Sequence, residues 1–232
     1  MTETLPILLV PGLQCSARLY ADQIPALWPF GPVTVVDHTR AESMDAIAAQ
    51  ILANAPPRFA LVGLSMGGYI AYAILRAAPQ RVARLALLDT SARPETPQQT
   101  ERRQVHIAMA REGKVREIAE MHYPMLVHAN RSDDAELRCI VIAMAEETGA
   151  QAFIRQQTAI MTRPDSRPDL PKIACPTLVL VGDGDQLTVP KIAEEIAGLI
   201  PGSRLVVVPD CGHLSTIERP AAVNAALVEW MR

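Results

Sequence analysis

A serine set among glycines is the residue of this sequence best suited to act as a nucleophile. The stretch Gly63-Leu64-Ser65-Met66-Gly67 has the pattern G-x-S-x-G, in which small neighbours let a strand and a helix pass closely around a sharp turn. The pattern alone arises by chance in about one chain in ten of this length. Its context strengthens it, because residues 59–62 predict a buried strand and residues 69–75 predict a helix. We therefore predict that Ser65 lies on a strained turn between the two.

Such a serine needs two partners, since its hydroxyl is a poor nucleophile at neutral pH without a general base and a carboxylate that orients the base. In folds that carry such a strand–turn–helix elbow, the acid and then the histidine follow the serine in the chain, each after the carboxyl end of a strand. Asp185 and His213 fit both the order and the places. Asp183 and Asp89, which also follow predicted strands, remain open as alternatives for the acid. The other histidines are predicted to be solvated or to pack among helices: His38, His106, His122 and His128.

The elements that must position these residues alternate between strands and helices. Strands are predicted at residues 5–10, 32–36, 59–62, 82–88, 177–181 and 204–208, and helices at 17–27, 43–54, 69–78, 190–200 and 220–230. Between about residues 92 and 168 the strand pattern is absent, and helices are predicted at 97–111, 114–122, 133–147 and 150–162. Unbroken apolar strands that alternate with helices indicate an α/β fold, with a mostly parallel sheet covered on both faces.

Composition is that of an ordinary globular enzyme and disfavours other classes. The chain has 232 residues, of which 49% are hydrophobic and 20% charged, enough for one well-cored domain and inconsistent with disorder. A formal net charge of -3 gives no basic footprint for nucleic acid. The N-terminus lacks a basic region before a long apolar run, so we expect neither a leader peptide nor a membrane span. We therefore expect a cytoplasmic location. The four cysteines lack metal-ligand spacing, so neither a metal site nor disulfides are expected.

The chain resembles the α/β-hydrolases, in the group of small esterases, cofactor-free haloperoxidases and carbon-carbon bond hydrolases. Four stretches carry the resemblance: residues 8–12, 63–68, 176–185 and 211–213. The family pattern G-x-x-D, present as Gly182-Asp183-Gly184-Asp185, selects Asp185 as the acid. The resemblance further implies a hydrolase core of residues 1–91 and 169–232, with residues 92–168 inserted as a helical cap over the active site.

The family also implies an oxyanion hole, in which two backbone N–H groups hold the negative charge that develops when the serine attacks a carbonyl. Here these donors would belong to Leu13 and Met66. The family's common His-Gly before the first donor is Pro11-Gly12 in this chain, so the hydrogen bonding of that loop must differ. Only four residues precede the first predicted strand, so we expect about six strands instead of the family's eight.

These features predict a serine hydrolase that cleaves a small carboxylic ester or related acyl compound through an acyl-enzyme, without a cofactor. Carbon-carbon bond hydrolysis or perhydrolysis by the same triad is the alternative, and a non-catalytic ligand-binding relative is a further one. A dinucleotide-binding fold is disfavoured, because the first strand leads into Pro11-Gly12-Leu13 and not into G-x-G-x-x-G.

The expected partner is a small molecule, and the oligomeric state stays open. Substrate contacts are expected within residues 92–168. There Arg102, Arg103 and Arg155 could meet a substrate carboxylate, although charged faces of such helices are usually only solvated. The methionines of this segment are predicted mainly to fill the core: Met109, Met121, Met125, Met144 and Met161.

Overall fold

Six apolar segments of the chain form a single parallel sheet. A computed structural model describes residues 4–232, so residues 1–3, on which part of the N-terminal expectation depends, lie outside the described residues. The strands are β1 (Ile7–Val10), β2 (Val33–Val35), β3 (Phe59–Leu64), β4 (Val82–Leu88), β5 (Thr177–Gly182) and β6 (Arg204–Val208). Their order in the sheet is β2-β1-β3-β4-β5-β6, and every neighbouring pair is parallel. The prediction of an α/β fold with a six-stranded parallel sheet is confirmed.

Helices connect these strands, and three of them, α2, α4 and α6, begin at a side-chain cap. They are α1 (Gln23–Leu27), α2 (Met44–Asn54), α3 (Met66–Ala77), α4 (Pro97–Arg111), α5 (Val115–Leu126), α6 (Ala135–Met161), α7 (Pro190–Leu199), α8 (Ser215–Glu218) and α9 (Pro220–Met231). The Ser43 hydroxyl accepts a hydrogen bond from the N–H of Ala46 in the first turn of α2. Thr96 and Gln99 form a reciprocal capping box at the start of α4, which satisfies donors that the helix itself leaves unpaired.

The alternation of side chains along each strand builds a core on each face of the sheet. Leu8 and Val10 point to one face, where α2, α3 and α7 pack, and both side chains are buried. Ile7 and Leu9 point to the other face, which α1 and α9 cover. The strands β1, β3 and β5 are buried along their whole length, as is expected of a parallel sheet between helical layers, while the edge strands β2 and β6 are partly exposed.

The helix predicted at residues 17–27 is wrong as one continuous element. The structure has a 3₁₀ turn at Ala17–Tyr20 and then the short helix α1. Pro25 lies within α1, where it has no N–H to bond the carbonyl of Ala21 and its ring crowds that carbonyl. The α-helical hydrogen-bond pattern therefore cannot run unbroken through Ala21.

Three longer helices, α4, α5 and α6, fill the chain between β4 and β5. Helix α6 is interrupted at Gly149, whose φ of 74° and ψ of 167° are not helical, so it comprises two helical pieces as the sequence predicted. Buried Tyr123 of α5 and Val141 of α6 join the core on the α9 face of the sheet. This packing brings the helical segment against the core at the carboxyl ends of the strands.

No helix within residues 4–232 combines the length and the apolar character needed to cross a membrane.

Candidate active site

Ser65 lies at the sharp turn between β3 and α3. Its φ of 54° and ψ of -113° belong to a region that residues other than glycine rarely adopt, at a cost of order 1–3 kcal/mol. Two hydrogen bonds hold this backbone: the Ser65 N–H donates to the Leu88 carbonyl at 2.9 Å, and the Thr90 hydroxyl donates to the Ser65 carbonyl at 2.7 Å. Strain maintained in this way is typical of a nucleophile that must project from the backbone.

The glycines around Ser65 are required by close backbone contacts. A Cβ on Gly67 would overlap the carbonyl of Val10, and one on Gly63 would overlap the carbonyl of Gly67. A Cβ on Gly68 would overlap the side chain of Thr90. The strand, the turn and the helix can thus approach one another only with hydrogen at these positions.

His213 and Asp185 form a buried pair after β6 and β5. The Nδ1 atom of His213 lies 2.8 Å from Oδ2 of Asp185, and both side chains are almost inaccessible to solvent. The Thr188 hydroxyl donates to the same oxygen at 2.6 Å, while the N–H groups of Leu187 and Thr188 donate to Oδ1 at 2.8 and 2.9 Å. The carboxylate is therefore held in one orientation. Since Asp185 accepts from Nδ1, the other imidazole nitrogen, Nε2, is left to act as a base.

The pKa values of this pair favour an ionised acid next to a basic imidazole. Burial raises the pKa of Asp185, but the charge of His213 and the hydrogen bonds from His213 and Thr188 outweigh it and lower the pKa to about 2. Burial lowers the pKa of His213, yet the charge and hydrogen bond of Asp185 raise it overall. Asp185 thus stays ionised at neutral pH, where it can stabilise a protonated His213.

The structure brings Asp185, and not Asp183, to His213. The Asp183 carboxylate accepts a hydrogen bond from the backbone N–H of Cys211 at 3.2 Å, and so shapes the loop that carries the histidine. That loop is also fixed from the helical segment, because the His213 N–H donates to the carbonyl of Leu126 at the end of α5, at 3.0 Å.

Asp89, the other alternative acid, lies beneath the pair without bonding to it. Its carboxylate accepts from the Gly182 N–H at 3.0 Å and from the hydroxyl of Ser215. Burial, followed by the nearby charge of Asp185, raises the pKa of Asp89 well above its usual range. Asp89 connects the loops that follow β5 and β6, while Asp185 alone of the three candidate acids contacts the His213 imidazole.

Of the two backbone amides predicted to bind an oxyanion, one directly follows Ser65 in the chain and the other lies in a loop that lines the same cavity. Met66 is the first residue of α3, and Leu13 lies in the loop that follows β1 and lines the same cavity as Ser65. Neither N–H has an acceptor among residues 4–232. Two such free donors are what a developing negative charge requires.

Two buried side chains that the sequence did not single out support the Leu13 loop. The His38 Nε2 atom lies 2.9 Å from the carbonyl oxygen of Gly12 and 3.0 Å from Nε2 of Gln156. The Gln156 Oε1 atom accepts the N–H of Gln14 at 3.1 Å. His38, predicted to be solvated or to pack among helices, is 2% exposed and contacts Gln156 of α6. Its position after β2, the strand beside β1, is the one sequence signal that could have placed it here.

A cavity of about 440 Å³ joins these groups. Ser65 and His213 line its floor, and side chains of α4, α5 and α6 form its opposite wall. Of the insert methionines, three line this cavity: Met121, Met125 and Met144. Arg102 and Arg103 line it as well, whereas Arg155 donates to the carbonyl of Thr39. A larger groove of about 700 Å³, between Tyr72 and Pro176, contains none of the candidate catalytic residues, so the smaller cavity is the candidate active site.

Metal ligands do not converge at this site. Among residues 4–232, no group of three or more His, Cys, Asp or Glu side chains is arranged to hold a metal ion.

The fold and this arrangement define an α/β hydrolase, and comparison with known proteins agrees. The model of the alpha/beta hydrolase family matches residues 7–226; the chain belongs to this family and is a hydrolase. It is similar to a thermophilic esterase from Thermogutta terrifontis solved with malate bound, with 33% identity and a TM-score of 0.89 over 100% of this chain and 91% of that one. It is also similar to the enol-lactonase from Burkholderia xenovorans, with 25% identity and a TM-score of 0.89 over 99% and 92% of the two chains. A pimeloyl-[acyl-carrier protein] methyl ester esterase from Neisseria meningitidis is 26% identical over 96% of this chain and 93% of its own. The roles of the individual residues stay predictions.

Proposed function

We propose that the protein is a serine hydrolase that cleaves a small carboxylic ester through an acyl-enzyme. The observation that carries this proposal is the buried His213–Asp185 pair, which lines one cavity together with the strained Ser65. The similar proteins include two named as esterases and one named as a lactonase, and a lactone is a cyclic ester.

In the proposed reaction, the Nε2 atom of His213 removes the proton of the Ser65 hydroxyl while Ser65 attacks the ester carbonyl. Asp185 holds the imidazole through Nδ1 and stabilises its positive charge. The N–H groups of Leu13 and Met66 bind the oxyanion of the tetrahedral intermediate. His213 then gives the proton to the departing alcohol.

Deacylation uses the same groups with water in place of the serine. His213 takes a proton from water, which attacks the acyl-enzyme carbonyl, and Ser65 leaves as the alkoxide that His213 reprotonates. The carboxylic acid product and the free enzyme result. We further propose that residues 92–168 act as a cap that selects the acyl group, because α4, α5 and α6 supply the cavity wall opposite Ser65.

Turnover of short p-nitrophenyl esters tests this proposal. We expect the wild type to release p-nitrophenol, and Ser65→Ala to lower kcat by at least about a thousandfold, since the covalent route is then removed. Ser91→Ala, which changes another serine of the cavity wall, is the matched control and should keep most of the activity. Full turnover by Ser65→Ala would exclude the proposed nucleophile, and tight ester binding without product would indicate a binding protein instead.

A further inference from the structure

The lining of the cavity that contains Ser65 has an excess of positive charge. Four arginines of the wall are Arg93, Arg102, Arg103 and Arg163, and among the described residues no aspartate or glutamate lines the cavity. Behind the wall, Glu95 contacts both Arg103 and Arg163, and Glu195 contacts Arg93. Arg102 has no carboxylate within ion-pair distance among residues 4–232. The acidic groups are fewer than the arginines, so the cavity keeps a field that attracts an anion.

A buried hydrogen-bond donor of the same wall has no partner. Gln157 is fully buried and lines the cavity. Its Oε1 atom accepts from Nη1 of Arg103 at 2.7 Å, which fixes the orientation of the amide and turns Nε2 away from that arginine. Nε2 has no acceptor among residues 4–232. A buried donor without an acceptor is costly and rare in native proteins, and a ligand oxygen would satisfy it.

Two uncharged imidazoles complete this part of the wall. The rings of His106 and His122 meet edge to face, with their centroids 4.5 Å apart, and both residues line the cavity. Burial, followed by the charges of Arg103 and Arg102, lowers the pKa of His106, and burial with the charge of His106 lowers the pKa of His122 to about 4. Both rings are therefore neutral near pH 7, and each offers an N–H donor.

We propose that Arg102, Arg103 and Gln157, with His106 and His122 beside them, bind a carboxylate of the substrate that is distinct from the ester being cleaved. The preferred substrate is then a half-ester of a small dicarboxylic acid. A carboxylate has only acceptor oxygens and pairs with planar guanidinium groups, which matches a wall that presents donors and no acidic side chain. This inference rests on the proposed ester hydrolysis.

Paired substrates separate the two proposals. Monomethyl glutarate and monomethyl adipate present the carboxylate, and the corresponding dimethyl esters present the same bond without the charge. We expect the wild type to favour each monoester in kcat/KM by about tenfold to a hundredfold, the range of one hydrogen bond to a charged group. Equal use of the two esters would overturn the carboxylate site and leave ester hydrolysis intact. Failure to cleave either ester would count against the hydrolase proposal.

Variants locate the preference in the structure. Gln157→Glu keeps the acceptor for Arg103 but replaces the free donor by a carboxylate oxygen, and we expect it to abolish the preference for the monoester. Gln151→Glu adds the same charge to the same helix at an exposed position outside the cavity. This control variant should retain the preference for the monoester. Arg102→Gln, which breaks no ion pair, should reduce the preference about tenfold, whereas Arg111→Gln, on the same helix but outside the cavity lining, should not. A preference that survives both cavity variants would refute the assignment.

A binding measurement tests the site without turnover. Calorimetric titration of Ser65→Ala with glutarate and adipate should show binding, and the double variant Ser65→Ala/Gln157→Glu should bind at least about tenfold more weakly. Absence of binding to Ser65→Ala, or equal binding by the double variant, would contradict the proposed carboxylate site.

Discussion

Replacing Gln156 by leucine tests how the helical segment supports the oxyanion hole. Gln156 is completely buried, and its Oε1 atom is the acceptor for the N–H of Gln14, next to the proposed donor Leu13. Its amide nitrogen also contacts His38, which in turn contacts the carbonyl of Gly12. Gln156→Leu keeps a similar volume and removes both polar contacts. The loop then loses its polar contacts with α6, while the packing of Leu13 against the apolar cluster that contains Phe153 remains.

The magnitude follows from the group that is left without a partner. Gln14 is 8% exposed, and a buried N–H without an acceptor costs about 1–3 kcal/mol. The loop can relieve this cost by rotating the peptide toward solvent, and such a rotation displaces the neighbouring N–H of Leu13. Complete loss of one oxyanion donor lowers kcat by about 10²–10³. Partial displacement should therefore lower kcat by about tenfold to a hundredfold.

Steady-state kinetics on a neutral p-nitrophenyl ester provide the assay. We expect kcat to fall while KM changes little, because the oxyanion contact strengthens only as charge develops in the transition state. Gln151→Leu, exposed on the same helix, is the matched control and should leave kcat unchanged. A Gln156→Leu enzyme that folds and keeps kcat within about twofold of the wild type would refute the reasoning.

Three further predictions concern the proposed catalytic groups. Asp185→Asn should lower kcat about a thousandfold or more without loss of fold, as the equivalent change does in serine proteases, and single-turnover kinetics would detect it. The activity of the wild type should rise with pH as His213 loses its proton. The midpoint should lie above the usual 6.5, because Asp185 raises the pKa of His213. A pH–rate profile of kcat/KM measures this midpoint, and a value below 6.5 would contradict the prediction. Gly67→Ala should destabilise the protein by several kcal/mol, since the added Cβ overlaps the Val10 carbonyl, and a denaturant titration would measure the loss.

The strands and several helices could be predicted because local signals define them. Helix α4 begins at Pro97 as predicted, since proline at the first position and a Thr96–Gln99 capping box are both visible in the sequence. The interruption of α6 at Gly149 is likewise visible in the sequence, because glycine tolerates the positive φ that this position adopts. The error at residues 17–27 arose because the apolar pattern outweighed Pro25, whose backbone restriction decides the local structure.

The support of the site could not be predicted in the same way. His38 and Gln156 are 118 residues apart in sequence yet lie within 3.0 Å in the fold, and no local pattern specifies such a pairing. The sequence did indicate that the oxyanion loop would be held differently, because Pro11-Gly12 stands where the family has His-Gly. Likewise, the free donor of Gln157 depends on which neighbour its oxygen contacts, and only the packed structure defines that.

Active-site labelling tests the central claim most directly. The wild-type protein is treated with a fluorophosphonate probe, and the modified residue is identified by peptide mass spectrometry. We predict one adduct, on Ser65, formed in parallel with the loss of esterase activity and absent from Ser65→Ala. An adduct on another residue, or ester hydrolysis that continues while Ser65 is fully modified, would contradict the account.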